Sequence, residues 1–268
     1  MRQGRIHIIP LGFLLIMAGA VSTGSLNAFT AFKAFILSVI SSFVASAPND
    51  YFDADMDMRL ERKQSLGNYV QNKNLGRTVA ISSILAAFIA SLLINTTAGI
   101  SLFAVTVLSI LYSVPPFRFK GRAPLDSLCN GLGAFFIFAM GVGLAGGAFS
   151  DVISGAYWFS LIIVGIHGIT AIPDMEEDRK EGLRTMPILI GKKKTVALTQ
   201  AAILAALYFE NFSILTSGFL FSLFVAAFIL WKDWDEINMN RLLLIGVAYC
   251  TIYFSTYVVL RGVLNVRF

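Results

Sequence analysis

Nine apolar runs, at residues 6–22, 29–47, 78–94, 98–114, 125–147, 155–172, 195–208, 212–231 and 242–264, take up most of the chain and leave few folds open to it. A helix needs about 20 apolar residues to cross the hydrocarbon layer of a bilayer. No strand-type alternation interrupts these runs, so helices rather than a closed barrel must satisfy the backbone hydrogen bonds inside lipid. Of the whole sequence, 56% is hydrophobic and 14% charged, against roughly 25% charged in an ordinary soluble domain. A soluble core could not hide that much apolar surface. The expected fold is therefore all-α: a polytopic membrane protein with a bundle of about nine transmembrane helices, read as a single domain over residues 1–268.

The connections refine this picture. Runs three and four are separated only by Asn95, Thr96 and Thr97, a turn that permits nothing but antiparallel neighbours, and runs seven and eight meet at Glu210 and Asn211. Of 21 Lys and Arg residues, 18 lie in the N-terminal segment or in the loops after runs two, four, six and eight. By the positive-inside tendency that side is cytoplasmic, so the protein is expected as a multi-pass component of the cell membrane. Arg2 and Arg5 before the first run resemble a secretory signal, but the run is long for one, and keeping it leaves every later loop on a consistent side. Cys129 and Cys250 lie within runs and imply neither a disulfide framework nor a metal site. The excess positive charge reflects topology and contact with membrane lipid, not nucleic acid.

Ten of the sixteen acidic residues fall in two short clusters on that same side. The first holds Asp50, Asp53, Asp55, Asp57 and Glu61, the second Asp174, Glu176, Glu177, Asp178 and Glu181. Acids beside a membrane demand a cationic partner. On a helix, Asp50, Asp53 and Asp57 share a sector of about 60°, with Asn49 at its edge and Asp55 turned away. Three carboxylates on one face repel one another, and a bound cation removes that penalty. Asp174 and Asp178 repeat the pattern one turn apart, sharing a face with Glu181, while Glu176 looks away. Each cluster follows a proline, Pro48 or Pro173, and closes an even-numbered run, which hints at a duplicated four-helix unit. Pro48 is expected to kink its helix or leave a carbonyl free. Hard oxygen ligands of this kind suit two Mg²⁺ ions carrying a diphosphate, with Asn49, Asp50, Asp53 and Asp57 on one side and Asp174 and Asp178 on the other.

A third group, in the loop after run four, carries Tyr112, Arg118, Lys120 and Arg122. With Arg62 and Lys63 these cations are candidates to stabilise the charge on a departing diphosphate, Arg118 and Lys120 above all. Tyr112 is a candidate to orient an acceptor or help remove its proton. Asp126 and Ser127 after Pro124 read as helix-start chemistry. Asn130, polar within a run, is a candidate cavity-lining residue, and His167 between Gly165 and Gly168 reads as a hydrogen-bonded interior histidine.

Taken together, these residues resemble the UbiA-type membrane prenyltransferase family. Its N-D-x-x-D-x-x-x-D motif is complete in Asn49-Asp50-Tyr51-Phe52-Asp53-Ala54-Asp55-Met56-Asp57, and its D-x-x-x-D motif stands as Asp174-Met175-Glu176-Glu177-Asp178. The resemblance implies a helical bundle around a central lipophilic chamber, a metal-bound prenyl diphosphate donor at its cytoplasmic mouth, and transfer of the prenyl group to a lipophilic acceptor. The run from Tyr112 to Lys120 is similar to the Y-S-x-P-P form of that family; Pro116 takes the place where other branches carry lysine, and Ala171 replaces an additional Asp found in many members. Those departures, with Arg62-Lys63-Gln64-Ser65 after the first motif, are similar to the lycopene elongase branch, which implies a carotenoid acceptor; quinone precursors and geranylgeranylglyceryl phosphate are the alternatives. Two other classes use acids in membranes. Lipid-head phosphotransferases need a D-G and A-R pair that Asp53-Ala54-Asp55-Met56 does not supply, and cation transporters place their acids deep within several spans.

Overall fold

The computed structural model describes residues 8–24, 26–57, 72–209, 251–253 and 255–263. α-Helices run through them: α1 Ile8–Ser22, α2 Ala28–Asp57, α3 Lys73–Leu93, α4 Thr96–Ser113, α5 Leu125–Leu144, α6 Phe149–Thr170, the short α7 Met175–Lys180 and α8 Met186–Ile190, and α9 Lys192–Phe209, with further helix at residues 251–253 and 255–258. A π-helical turn, Val259–Val263, closes the described part. Among the described residues there is no β-strand, only a parallel bridge between Arg122 and Arg184. The all-α expectation holds, and four described helices are long and apolar enough to cross a bilayer: Ala28–Ala54, Lys73–Leu93, Thr96–Ser113 and Leu125–Leu144. The eighth apolar run and much of the ninth lie outside the described residues.

The chain divides into two compact units, one of Met1–Arg118 with Phe136–Val152, the other of Phe119–Phe135 with Ile153–Phe268. In the first, α1 packs on α2, and α2, α3 and α4 pack on one another. The antiparallel pairing of α3 with α4 follows from Asn95. Its Oδ1 caps α4 by accepting the Ala98 amide at 3.0 Å, and its Nδ2 donates to the Gly143 carbonyl at 2.6 Å. The turn is thus tighter than the sequence implies, because Asn95 ends it and Thr96 already belongs to the helix.

Lipid tails are as apolar as leucine, so helices in a membrane associate by close packing and interhelical hydrogen bonds rather than by a hydrophobic driving force. Small residues allow this. Gly141 lies against the Ile16 carbonyl and Gly19 against the Phe138 carbonyl, so that α1 and the second half of α5 approach backbone to backbone. In the second unit Thr199 Oγ1 donates to the Gly165 carbonyl at 2.6 Å, and Gly168 faces the Thr195 methyl, fastening α6 to α9. Elsewhere the outward face is greasy. On α3, Leu85, Ile89, Leu92 and Leu93 are all exposed, which water would penalise and lipid would not.

A methyl group at Gly141 would overlap the Ile16 backbone, whereas one at Gly133 would meet nothing within 4 Å. Gly141→Ala is therefore expected to destabilise the protein by about 1–3 kcal/mol, the usual cost of overpacking. Thermal melting in detergent checks this: Gly133→Ala should melt like the wild type and Gly141→Ala clearly below it.

Candidate functional site

Helix α2 does not stop with its apolar run at Ala47; it continues through Pro48 to Asp57. The acidic cluster consequently rides on the helix itself, and the spacing expected from the sequence is realised: Asp50 and Asp53, three residues apart, are 5% and 4% exposed. Asn49 is half-buried beside them. Asp57 is the last described residue of the helix, and its side chain, with Arg62 and Lys63 entirely, lies outside the described residues. Two buried carboxylates three residues apart on one helix face repel each other. Buried carboxylates placed there need positive charge from another part of the chain or from an ion.

Part of it comes from Arg118, whose Nη2 donates to Asp53 Oδ1 at 3.3 Å. Arg118 follows the turn that leaves α4, with its amide donating to the Val114 carbonyl at 3.0 Å. It has φ +41°, a left-handed conformation uncommon outside glycine, of the kind retained at functional sites at a cost of roughly 1–3 kcal/mol. Its Nε is buried and finds no hydrogen-bond acceptor among the described residues. A cation that spends one donor on Asp53 and keeps another buried and unused is suited to a further anion. Nothing in the sequence reveals the strained backbone or the spare donor. Tyr112, at the end of α4, is half-buried.

In the second unit Lys120 is 8% exposed within the 3-10 turn Phe119–Gly121, while Arg122 is exposed. Asp174 is the N-cap residue of α7, without a side-chain capping bond, and Asp178 lies within that helix at 8% exposure. The Asp178 amide donates to the Asp174 carbonyl at 2.8 Å, so the two acids stand one turn apart as expected. Glu176 is exposed and looks away, and Glu181, expected on the acids' face, is exposed as well. Asn130, a candidate lining residue, spends its Nδ2 on the Asp126 carbonyl of its own helix at 2.9 Å. His167 is partly exposed within α6. Asp126 departs from its expected role. Its Oδ2 accepts the amide of Met186, 60 residues on, at 3.2 Å, rather than an amide in the first turn of α5.

Each unit's donors suit Mg²⁺ by type: Asn49, Asp50 and Asp53 in the first and Asp174 and Asp178 in the second offer hard oxygen ligands. Among the described residues no three acidic, histidine or cysteine side chains come close enough to enclose a metal by themselves. Mg²⁺ commonly rests on one or two carboxylates and completes its shell with water and substrate phosphate, which a pair of acids within one unit can provide for.

A profile of the UbiA prenyltransferase family matches residues 10–258. The chain is 32% identical over 171 residues to a lycopene elongase/hydratase of Haloarcula japonica, a match covering 62% of this chain and 56% of that protein. It thus spans little more than half of that relative. To a lycopene elongase/hydratase of Halobacterium salinarum it is 32% identical over 198 residues, covering 69% and 70%. Among solved structures, a UbiA homolog from Archaeoglobus fulgidus bound to DMAPP and Mg²⁺ matches with a TM-score of 0.68 over 95% of this chain and 99% of that one, at 17% identity, a likeness of fold.

Neutralising Asp50 removes one of two buried like charges on one face of α2. Asp50→Asn is expected to raise the melting temperature of metal-free protein by about 2–4 °C and to abolish any stabilisation on adding Mg²⁺. Thermal melting with and without the metal checks both halves. An unaltered metal-free melting point with the Mg²⁺ shift intact would contradict this reading of α2.

Proposed function

We propose, given that this chain belongs to the UbiA prenyltransferase family, that it transfers a polyprenyl group from an allylic prenyl diphosphate to a lipophilic acceptor within the membrane. The observation that carries this reading is the pair of buried carboxylates, Asp50 and Asp53, on one face of α2 beside a guanidinium with a donor to spare. Asn49, Asp50, Asp53 and Asp57 would hold one Mg²⁺, and Asp174 and Asp178 a second. Bound there, the metal supplies positive charge that eases departure of the diphosphate.

The chain's own residues do the rest. Arg118, steered by Asp53, offers its free Nε–H to a phosphate oxygen, and charge-assisted bonds of this type strengthen as negative charge collects on the leaving group. Lys120, Arg122, Arg62 and Lys63 add further cationic charge on the same loops. The apolar helices exclude water, which would otherwise compete with the acceptor for the allylic cation. Tyr112 orients the acceptor. The concentration of Lys and Arg in the loops that bear these residues supports a site opening to the cytoplasm.

The lycopene elongase/hydratases among the relatives support a carotenoid acceptor of the lycopene type. Purified protein incubated with Mg²⁺, radiolabelled geranylgeranyl diphosphate and a panel of carotenoid, quinone-precursor and glycerol-phosphate acceptors tests the reading. Label is expected in an extractable carotenoid, and transfer only to another acceptor would move the chain to a different branch. Asp53→Ala and Asp174→Ala should each lose at least about a hundredfold in turnover, as expected when an interaction made in the transition state is removed. Arg118→Lys, which keeps the charge but not the planar set of donors, should lose about tenfold or more in kcat/KM for the donor. Near-normal transfer by either alanine variant would overturn the metal roles.

A further inference from the structure

The second unit contains a fully buried carboxylate that the proposed chemistry does not use. Asp126 is 0% exposed. It sits in the first turn of α5, where the helix dipole favours an acid, yet its bond reaches away from that helix to the Met186 amide at the start of α8. Thr185 is the N-cap residue of α8 and makes no side-chain capping bond, its buried hydroxyl having no partner among the described residues. Asp126 therefore takes a capping place that the local sequence leaves open.

The bond is one of several between the same two loops. The Arg184 amide donates to the Gly121 carbonyl at 2.8 Å, and the Ala123 amide to the Arg184 carbonyl at 2.7 Å. Gly121 lies so close to Leu183 that a Cβ would stand 2.7 Å from its Cδ2. The Leu183 amide in turn donates to the Asp178 carbonyl at 2.9 Å. One of these loops presents Lys120; the other leads directly out of the turn that presents Asp174 and Asp178. Among these contacts Asp126 supplies the side-chain hydrogen bond.

We infer that Asp126 is a positioning residue: by capping Met186 it clasps the loop leaving the second acidic turn to the loop carrying Lys120, and so fixes both for the donor's metal-bound diphosphate. The inference rests on the prenyl-transfer reading for its consequence, but not for the clasp itself. What the clasp requires is an acceptor for the Met186 amide, which asparagine also provides and alanine does not. The same bond can be removed from the other side. Thr185 has φ −69° and ψ 162°, an extended conformation that tolerates a following proline, so Met186→Pro deletes the N–H at a first helical position where proline is accepted.

The full chain, with Asp126→Ala, Asp126→Asn and Met186→Pro, is to be compared by hydrogen–deuterium exchange of peptides covering residues 183–190 and by the KM for geranylgeranyl diphosphate at saturating Mg²⁺ and acceptor. Asp126→Ala and Met186→Pro should lose exchange protection and raise the donor KM by about tenfold, the scale of a lost buried hydrogen bond, with the acceptor KM moved less than about twofold. Asp126→Asn should keep protection and stay within about threefold of the wild-type donor KM. Equal protection in all four proteins, a donor KM that does not change, or Asp126→Asn as impaired as Asp126→Ala would each overturn the clasp. Should Asp126→Ala fail to fold, Met186→Pro against Asp126→Asn decides in the same way. If the wild type turns over no prenyl donor, the proposed function fails, and the exchange comparison still decides whether Asp126 holds the two loops.

Discussion

Two carboxylates buried on one face of a long helix set the terms for this protein. Asp50 and Asp53 stand three residues apart, so their charges repel one another where burial leaves little water to screen them. Such an arrangement persists only where positive charge is supplied. Within the described residues the Arg118 guanidinium, held in a strained backbone conformation, bonds Asp53. A divalent ion carrying phosphate oxygens is the further partner proposed for these acids, whose burial sets them apart from a solvated helix end.

Around that device the sequence builds what a membrane demands. Helices that cannot gain from hydrophobic contact with each other are brought together by glycine and hydroxyl side chains, with Gly19 and Gly141 in one unit and Gly165 and Thr199 in the other. Rigidity at these contacts bears on chemistry, since ligands spaced along a helix hold their geometry only as well as the helix is held. The loops need fastening too, and in the second unit backbone bonds between Gly121, Ala123 and Arg184, with the Asp126 cap on Met186, provide it.

Much of this was legible in the residues themselves. Apolar length and the lack of alternation dictate helices, and the three-residue step from Asp50 to Asp53 places both on one face whatever their surroundings. The same holds for Asp174 and Asp178, whose helical turn is local. Asn95 as a cap could be read from its place before an apolar run. What could not be read depends on partners far along the chain. Nothing near Asp126 announces Met186, nothing near Lys120 announces its burial, and nothing near Arg118 announces its positive φ. The helix runs through Pro48, as the helical reading of Asp50 to Asp57 requires, so the apolar run ends before the helix does. Asn130, a polar group inside a span, donates through its amide nitrogen one turn back to the Asp126 carbonyl of its own helix, a bond its surroundings in the sequence do not announce.

The central claim, that the acids of α2 serve a metal-bound diphosphate, is tested most directly by equilibrium binding of geranylgeranyl diphosphate to the wild-type protein in Mg²⁺ and in chelator. The account requires the donor to bind at least about a hundredfold more tightly with the metal present, a difference of roughly 2.7 kcal/mol. Equal affinity in chelator would contradict it.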